Sequence, residues 1–245
     1  MTELRLISTN GAKSNVAAPQ KRGTFVTFEG MDGSGKSTQL DLLASALKGL
    51  GVRVVRTREP GGTPLGETIR GLLLDANSSG MHSTTELALM FASRAQLVAE
   101  VIEPALLRGD WVLCDRFVDS SEAYQGGGRE LGSDAVLAMH RALLGSLKPD
   151  LTILLDHDVA ESISRARARS TAVEGKESRF EEEGFYFFER VQEKFFLIAS
   201  REPNRVFVTD AKRPVQAIHE DILAEVTHRF PAGFCLQPDM QGANY

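Results

Sequence analysis

The sequence contains few of the residues that build disulfide scaffolds, zinc modules or membrane spans. Its 245 residues include 2 cysteines, 1 tryptophan and 5 histidines. Cys114 and Cys235 cannot form a disulfide framework, and so low a cysteine content fits a reducing cytoplasm. The histidines show no metal-binding spacing, and no apolar run approaches the roughly 20 residues that span a bilayer. We therefore expect a cytoplasmic protein without a membrane segment or a zinc site.

An excess of positive charge is also missing. The chain has 28 lysines and arginines against 33 aspartates and glutamates, a formal net charge of −5. A protein that binds nucleic acid mainly by bulk charge needs the opposite balance, so we expect no nucleic-acid partner. Hydrophobic residues make up 42% and charged residues 25%, as in ordinary globular proteins. The length suits one α/β domain.

The two ends of the chain lack the periodic patterns of packed helices and strands. Residues 1–23 have no apolar segment of the secretory kind, and we predict a disordered N-terminal extension. Only Glu3 is acidic in this stretch, which leaves a weak organellar transit peptide as the alternative. Residues 230–245 are rich in Gly, Pro, Gln and Asn and are predicted to be a C-terminal tail. The folded domain then covers residues 24–229.

Within this domain, short β-rich runs alternate with helical periodicities. The runs begin at Thr24, Val52, Trp111, Leu151 and Arg205. Strands that alternate with helices indicate βαβ units, in which helices cover both faces of the sheet. We predict a three-layer α/β/α fold with a five-stranded, mostly parallel sheet.

A glycine-rich segment lies between the first strand and an amphipathic helix. It matches the P-loop pattern GxxxxGK[ST] over Gly30–Ser37. In such a loop the backbone N–H groups converge on phosphate oxygens, the lysine reaches the β- and γ-phosphates, and the hydroxyl binds Mg²⁺. We predict a P-loop NTPase fold that binds ATP and Mg²⁺, with Lys36 as a catalytic residue and Ser37 as a metal ligand. The nucleotide-binding residues are Gly30, Met31, Asp32, Gly33, Ser34, Gly35, Lys36, Ser37 and Thr38.

The P-loop alone leaves GTPases, motor ATPases and small-molecule kinases open. A GTPase should also carry an NKxD motif, which the sequence lacks. Asp115 and Arg116 directly follow the apolar third strand, at the edge where α/β sheets bind ligands. An aspartate there can hold Mg²⁺ through water, and an arginine can bind an acceptor phosphate with two N–H groups. The alternative is a surface ion pair, but the position favours a kinase.

Three further motifs make the chain resemble the bacterial thymidylate kinases. They are Arg58–Thr63 (REPGGT), Asp115–Ser121 (DRFVDSS) and Tyr124–Arg129 (YQGGGR), in the order of that family. The resemblance covers residues 24 to about 229. It implies ATP-dependent phosphorylation of dTMP to dTDP by direct in-line transfer, in a homodimer. The alternatives are another nucleoside monophosphate or deoxynucleoside kinase and a nucleotide-binding switch.

The resemblance also implies roles for single residues. Asp32 would face the 3′-hydroxyl of the acceptor sugar, and Arg58 and Arg116 would approach its phosphate. Phe91 would stack on thymine and Arg94 would reach its O4 atom, although a phenylalanine on a helix face is more often a core residue. The other acceptor-binding residues implied are Pro60, Ser121 at thymine N3, Tyr124 beside the sugar 2′ position, where it excludes a ribose hydroxyl, and Gln125 nearby.

An arginine-rich stretch at about 165–180 follows the fourth strand, where nucleoside monophosphate kinases carry a helical lid. Charge runs are otherwise usually solvated helix faces. Some thymidylate kinases have an arginine at the position of Gly33, so this chain resembles the subgroup whose lid supplies that cation. We expect Arg169 and Arg179 to act on the transferring phosphoryl group and Arg165 to lie near adenine.

Overall fold

Five strands form a parallel sheet in the centre of the protein. The structure, a computed structural model, describes residues 22–78, 80–172, 180 and 183–231. The sheet has the order β2-β3-β1-β4-β5, and every neighbouring pair is parallel. Five strands were predicted, and the sheet is wholly rather than mostly parallel. The strands are β1 (Phe25–Glu29), β2 (Val54–Arg58), β3 (Trp111–Asp115), β4 (Leu151–Asp156) and β5 (Val206–Asp210).

Helices lie between consecutive strands and after β5. Most follow the predicted periodicities within a few residues. They are α1 (Lys36–Gly49), α2 (Pro64–Leu74), α3 (Ser83–Leu97), α4 (Glu103–Leu107), α5 (Val118–Ser121), α6 (Ser133–Leu144), α7 (Val159–Ala172), α8 (Phe185–Arg201) and α9 (Val215–Arg229).

The central strand β1 is buried on both faces, which explains why three of its five residues are large and apolar. Val26 and Phe28 pack into a core formed with α1 and α9. Phe25, which points to the opposite face, packs into a second core formed with α3, α4 and α6. Because side chains alternate between the faces of a strand, two helical layers enclose the sheet. The predicted three-layer α/β/α architecture is therefore confirmed.

Three parts of the helical pattern differ from the sequence prediction, the first being α2, for which no helix was predicted. The long helix predicted from Thr84 to Arg108 is interrupted by a π-helical turn at Val98–Ile102. Pro104 follows this turn and has no N–H group for the helical ladder. The short α5 and the π-helical segment Glu122–Gly128 after it were not predicted. This segment nevertheless carries several of the candidate site residues.

The predicted terminal extensions and the lid fall largely on parts of the chain that the structure does not describe. These parts are residues 1–21, 173–179, 181–182 and 232–245. The division into a domain of residues 24–229 and two tails therefore stays a prediction. No helix in the described part of the chain is long and apolar enough to cross a membrane.

Candidate active site

The glycine-rich loop joins β1 to α1 as the sequence predicts. Gly30, Gly33 and Gly35 have φ angles of 130°, 86° and 92°, which glycine adopts without steric cost. No side chain caps the N-terminus of α1, so its first N–H groups stay available for phosphate oxygens. The predicted nucleotide ligand Thr38 lies in this first helical turn and is exposed.

Lys36 is held inside the loop. Its side chain is only 6% exposed, its Nζ donates a hydrogen bond to the carbonyl oxygen of Met31 at 2.7 Å, and Asp32 Oδ1 lies 3.9 Å away. Burial and the nearby Arg116 lower the pKa of Lys36 to about 8. The ammonium group therefore occupies a poorly solvated position in which phosphate oxygens would be favourable partners.

Ser37 and Asp115 form the candidate metal site. Ser37 Oγ donates to Asp115 Oδ2 at 2.7 Å. No group of three or more His, Cys, Asp or Glu side chains that could hold a metal ion occurs in the described part of the chain. A hydroxyl and a carboxylate, completed by water and phosphate oxygens, form a donor set that suits Mg²⁺.

Arg116 joins the loop to the neighbouring cleft. It has a φ angle of 72°, unusual for a residue with a side chain. Its guanidinium donates to Asp32 Oδ1 and Ser120 Oγ at 2.9 Å and to the Tyr124 hydroxyl at 3.3 Å, and it lies over the Tyr124 ring. The structure thus brings together Asp32, Arg116 and Tyr124, which the sequence assigned to one site.

Arg94 is the most deeply buried cation of the site. Its side chain is 2% exposed and pairs with Glu59, with 2.7 Å between Nε and Oε2. Nη2 donates to Ser121 Oγ at 2.9 Å and to the carbonyl oxygen of Phe117 at 3.1 Å. Burial raises the pKa of Glu59, and Arg94 opposes this rise. The third nitrogen, Nη1, is buried without a hydrogen-bond partner among the described residues.

These residues surround a cleft beside the P-loop. Asp32 and most of the predicted acceptor-binding residues line it; the latter are Pro60, Arg94, Arg116, Ser121, Tyr124 and Gln125. Arg58 and Phe91 do not line it.

Phe91 is placed in the core rather than in the cleft. It is fully buried, Arg94 lies 4.6 Å above its ring, and the ring contacts His140 edge-on. The preceding residue, Met90, lines the cleft instead. The spacing of three between Phe91 and Arg94 suggested a shared face, but Met90 lies four residues before Arg94 and fits a shared face equally well. Base stacking by Phe91 therefore does not fit its observed position.

Besides Arg94 and Arg116, the arginine that lines the cleft is Arg70 and not the predicted Arg58. Arg58 ends β2 with its side chain 55% exposed and donates to both carboxylate oxygens of Glu67. Arg70 lines the cleft and donates to the carbonyl oxygen of Pro60 at 2.9 Å. Burial and the nearby Arg58 lower the pKa of Arg70. Sequence reasoning missed Arg70 because it lies on α2, which was not predicted.

Comparisons with known proteins identify the family of this chain. The family model for thymidylate kinase matches residues 28–222. The chain is 48% identical over 210 residues to a thymidylate kinase of Geobacter sulfurreducens, covering 85% of this chain and 99% of that protein. It is 49% identical over 207 residues to one from Pseudomonas syringae pv. tomato, covering 83% and 96%. The crystal structure of thymidylate kinase from Ehrlichia chaffeensis superposes with a TM-score of 0.67 at 33% identity, covering 84% of this chain and 99% of that one.

The chain belongs to the thymidylate kinase family. The family assignment made from the three motifs is confirmed, and the function that comes with it is the phosphorylation of dTMP to dTDP. Thymidylate kinases act on small-molecule substrates and use ATP with a metal ion.

Helix α7, which begins the predicted lid of this thymidylate kinase fold, packs directly on the P-loop. A Cβ atom added at Gly33 would lie 2.8 Å from the carbonyl oxygen of Ser162 and 2.9 Å from Arg165 Cβ. Arg165 is half exposed and pairs with Glu161 at 2.6 Å. The side chain of Arg169 and the whole of Arg179 lie outside the described residues. The roles of the three arginines therefore stay predictions.

The contact at Gly33 leads to a prediction about stability. Gly33→Ala should destabilise the protein by about 1–3 kcal/mol more than Gly132→Ala, because the added methyl group must push α7 away from the loop. Gly132 has a similar positive φ angle of 81° but no neighbour within 4 Å, so it controls for backbone strain. The measurement is the free energy of unfolding in urea. Equal losses in the two variants would mean that α7 does not pack tightly on Gly33.

Glu29, which the sequence analysis missed, connects the P-loop strand to the segment after β3. It ends β1, is fully buried and accepts hydrogen bonds from the Phe117 N–H group at 2.8 Å and from the Ser120 hydroxyl. Burial, together with the carboxylate of Asp119, raises the pKa of Glu29 to about 8. Because Ser120 also binds Arg116, Glu29 supports the arginine that faces the cleft.

The raised pKa of Glu29 predicts a pH-dependent stability. An acid whose pKa rises on folding stabilises the folded state fully below its unfolded value, here 4.5, and this contribution is lost as the pH rises towards 8. Relative to Glu29→Gln, the native protein should therefore lose about 1.4 kcal/mol of unfolding free energy per pH unit between pH 5 and 8. Urea unfolding at several pH values measures this difference. Glu189→Gln, at an exposed site, is the control and should show the same dependence of unfolding free energy on pH as the native protein. If Glu29→Gln also showed the native pH dependence, the prediction would be refuted.

Proposed function

We propose that the chain transfers the γ-phosphoryl group of ATP, bound with Mg²⁺, directly to the phosphate of dTMP. The observation that supports this most strongly is the position of Asp32, between the loop lysine and the cleft arginine. Asp32 Oδ1 lies 3.9 Å from Lys36 Nζ and 2.9 Å from Arg116 Nη2. A nucleotide in the P-loop and an acceptor phosphate at Arg116 would then meet at one point.

Two buried atoms in the cleft are suited to a thymine base. Arg94 Nη1 is a hydrogen-bond donor and Gln125 Oε1 is an acceptor, and neither has a hydrogen-bond partner among the described residues. Thymine offers the complementary groups, a carbonyl oxygen at position 4 and an N–H group at position 3. This proposal gives position 3 to Gln125 instead of Ser121, whose hydroxyl accepts a hydrogen bond from Arg94 Nη2. Unpaired buried polar atoms are costly, so a ligand that pairs both would gain affinity. Met90 and Phe117 add apolar surface to the same cleft.

The chemistry requires positioning and charge more than proton transfer. The phosphate oxygen of dTMP is already anionic, so no side chain has to act as a base. Lys36 and Arg116 would hold the two phosphate groups in line, and Arg169 and Arg179 would add positive charge from the lid. Mg²⁺ at Ser37 and Asp115 would neutralise charge on the phosphate oxygens when it is bound.

Further assignments belong to the same proposal. Asp32 would face the 3′-hydroxyl of the acceptor, Tyr124 would exclude a ribose hydroxyl, Arg58 would approach the acceptor phosphate, and Arg165 would lie near adenine. We also propose a homodimer, since large apolar side chains are exposed on several helices; they are Leu65, Leu72, Leu107 and Leu143. A cytoplasmic location fits the free, buried thiol of Cys114.

The function is tested by measuring ADP release with dTMP, dUMP, dCMP or dGMP, and without an acceptor. We expect release that depends on dTMP, whereas a nucleotide-binding switch would release ADP slowly whether or not dTMP is present. Lys36→Ala and Arg116→Ala should each lower turnover by about 10³-fold or more, because each removes a charge that stabilises the transition state. Lys48→Ala, at an exposed position on the same helix as Lys36, is the control. Full activity in the Lys36 or Arg116 variant would refute the proposal.

The placement of Met90 and Phe91 gives a separate prediction. Met90→Ala should raise KM for dTMP about tenfold, since it removes apolar surface from the cleft, with little effect on stability. Phe91→Ala should lower the unfolding free energy by about 3–5 kcal/mol because it leaves a cavity in the core. Acceptor kinetics and urea unfolding of both variants measure the two effects. If Phe91→Leu raised KM for dTMP at native stability while Met90→Ala did not, Phe91 would be the base-contacting residue.

A further inference from the structure

A buried glutamate beside the cleft has no role in the proposed mechanism. Glu86 lies in the first turn of α3 and is fully buried. Its Oε1 accepts a hydrogen bond from Gln125 Nε2 at 2.8 Å. Arg129 Nε reaches the same carboxylate at 3.1 Å from Oε2. The carboxylate is thus surrounded by donors and joins α3 to the π-helical segment Glu122–Gly128, on which Gln125 lies.

This contact fixes which way the Gln125 amide points. A carboxylate offers only acceptors, so the NH₂ group of Gln125 must face Glu86 and the carbonyl oxygen must face away. Gln125 is 1% exposed and lines the cleft, and its Oε1 lacks a hydrogen-bond partner among the residues described. The cleft therefore contains a buried acceptor, the amide oxygen of Gln125. This oxygen, and not the NH₂ group, faces the cleft because Glu86 binds the NH₂ group.

We propose that Glu86 is a positioning residue that selects the acceptor base. By holding the Gln125 amide in one orientation, it makes the cleft favour a base with an N–H group at position 3 over a base with a bare nitrogen there. This inference rests on the proposed function. Thymine and uracil carry N–H at position 3 and oxygen at position 4, whereas cytosine carries a bare nitrogen and an amino group.

The fixed orientation matters because an amide is nearly symmetric in shape. Without a fixed neighbour, the Gln125 side chain could turn by 180° and donate to cytosine N3 as readily as it accepts from thymine N3. With Glu86 in place, cytosine would set its bare nitrogen against Gln125 Oε1 and its amino group against the donor Arg94 Nη1. Two such mismatches in a buried site oppose binding and are a strong means of discrimination.

The test is Glu86→Gln, which keeps the size of the side chain and removes its acceptor-only character. The new amide can offer either its oxygen or its NH₂ group to Gln125, so both orientations of Gln125 become available. We expect the ratio of kcat/KM for dTMP to that for dCMP to fall about 10- to 100-fold. The ratio of dTMP to dUMP should stay within twofold, because these bases present the same groups at positions 3 and 4.

A matched control lies on the same segment as Gln125. Glu122 is also a buried carboxylate, paired with Arg201 at 2.7 Å rather than with Gln125. Glu122→Gln should leave the dTMP to dCMP ratio unchanged. The proposal is overturned if Glu86→Gln keeps that ratio within twofold of the native value. It is also overturned if the dTMP to dUMP ratio falls equally, since that would show a general loosening of the cleft.

A second variant keeps the proposal testable if Glu86→Gln does not fold. Gln125→Met removes the acceptor without changing Glu86, and it should lower the dTMP to dCMP ratio while sparing dTMP to dUMP. An unchanged dTMP to dCMP ratio in this variant also overturns the proposal. In a Gln125→Met background, Glu86→Gln should have no further effect on selectivity. Native protein that shows no dTMP-dependent ADP release would refute the proposed function itself, which is a separate result.

Discussion

The pairing of β1 with β3 is the constraint on which the site depends. Phe28 lies opposite Asp115 in this parallel pair, so the P-loop after β1 and the Asp115-Arg116 turn after β3 leave the sheet side by side. Because parallel strands end at the same edge, the P-loop and the segment proposed to bind the acceptor meet without long connections. The Arg116 N–H group also donates to the carbonyl oxygen of Phe28, which extends the pairing one residue beyond the strand. Glu29 adds a side-chain link across the same junction.

Buried charges lie in and beside the cleft, although each of them costs desolvation energy. Arg94 is paired with Glu59, and Arg129 with Glu86, so neither pair leaves an isolated charge in the interior. Buried polar atoms beside these pairs still lack a hydrogen-bond partner among the described residues: Arg94 Nη1 and Glu59 Oε1 in the first pair, and Oε1 of Gln125, which Glu86 binds through Nε2. The paired atoms hold the unpaired ones in place, which is the arrangement expected of a preorganised binding site.

Sequence reasoning succeeded where the physical cause was local. Strands such as β1 were found from their β-rich runs, because a strand buried on both faces is mostly apolar, and the P-loop was found from glycines that need positive φ angles. The π-helical segment Glu122–Gly128 was not found, because it is held by distant partners: Glu122 by Arg201, and the carbonyl oxygen of Gly128 by Arg190.

Side-chain directions and long-range contacts also could not be predicted from the sequence. Met90 and Phe91 are adjacent and both apolar, and helical periodicity alone did not decide which one faces the cleft. Glu29 and Glu86 bind residues 88 and 39 positions away, so no local pattern marks either of them as part of the site.

The close packing at Gly33 explains why the catalytic cation would come from the lid. An arginine at this position would need the space that the Ser162 carbonyl and the Arg165 side chain occupy, as well as a φ angle that suits glycine. A cationic side chain in the loop and a lid helix seated directly on the loop are therefore mutually exclusive in this geometry. Since α7 takes the second arrangement, we expect the additional positive charge to come from α7 itself, at Arg169, and from the chain that follows it, at Arg179. The same glycine that lets the loop bend is thus also expected to determine the side from which this charge is supplied.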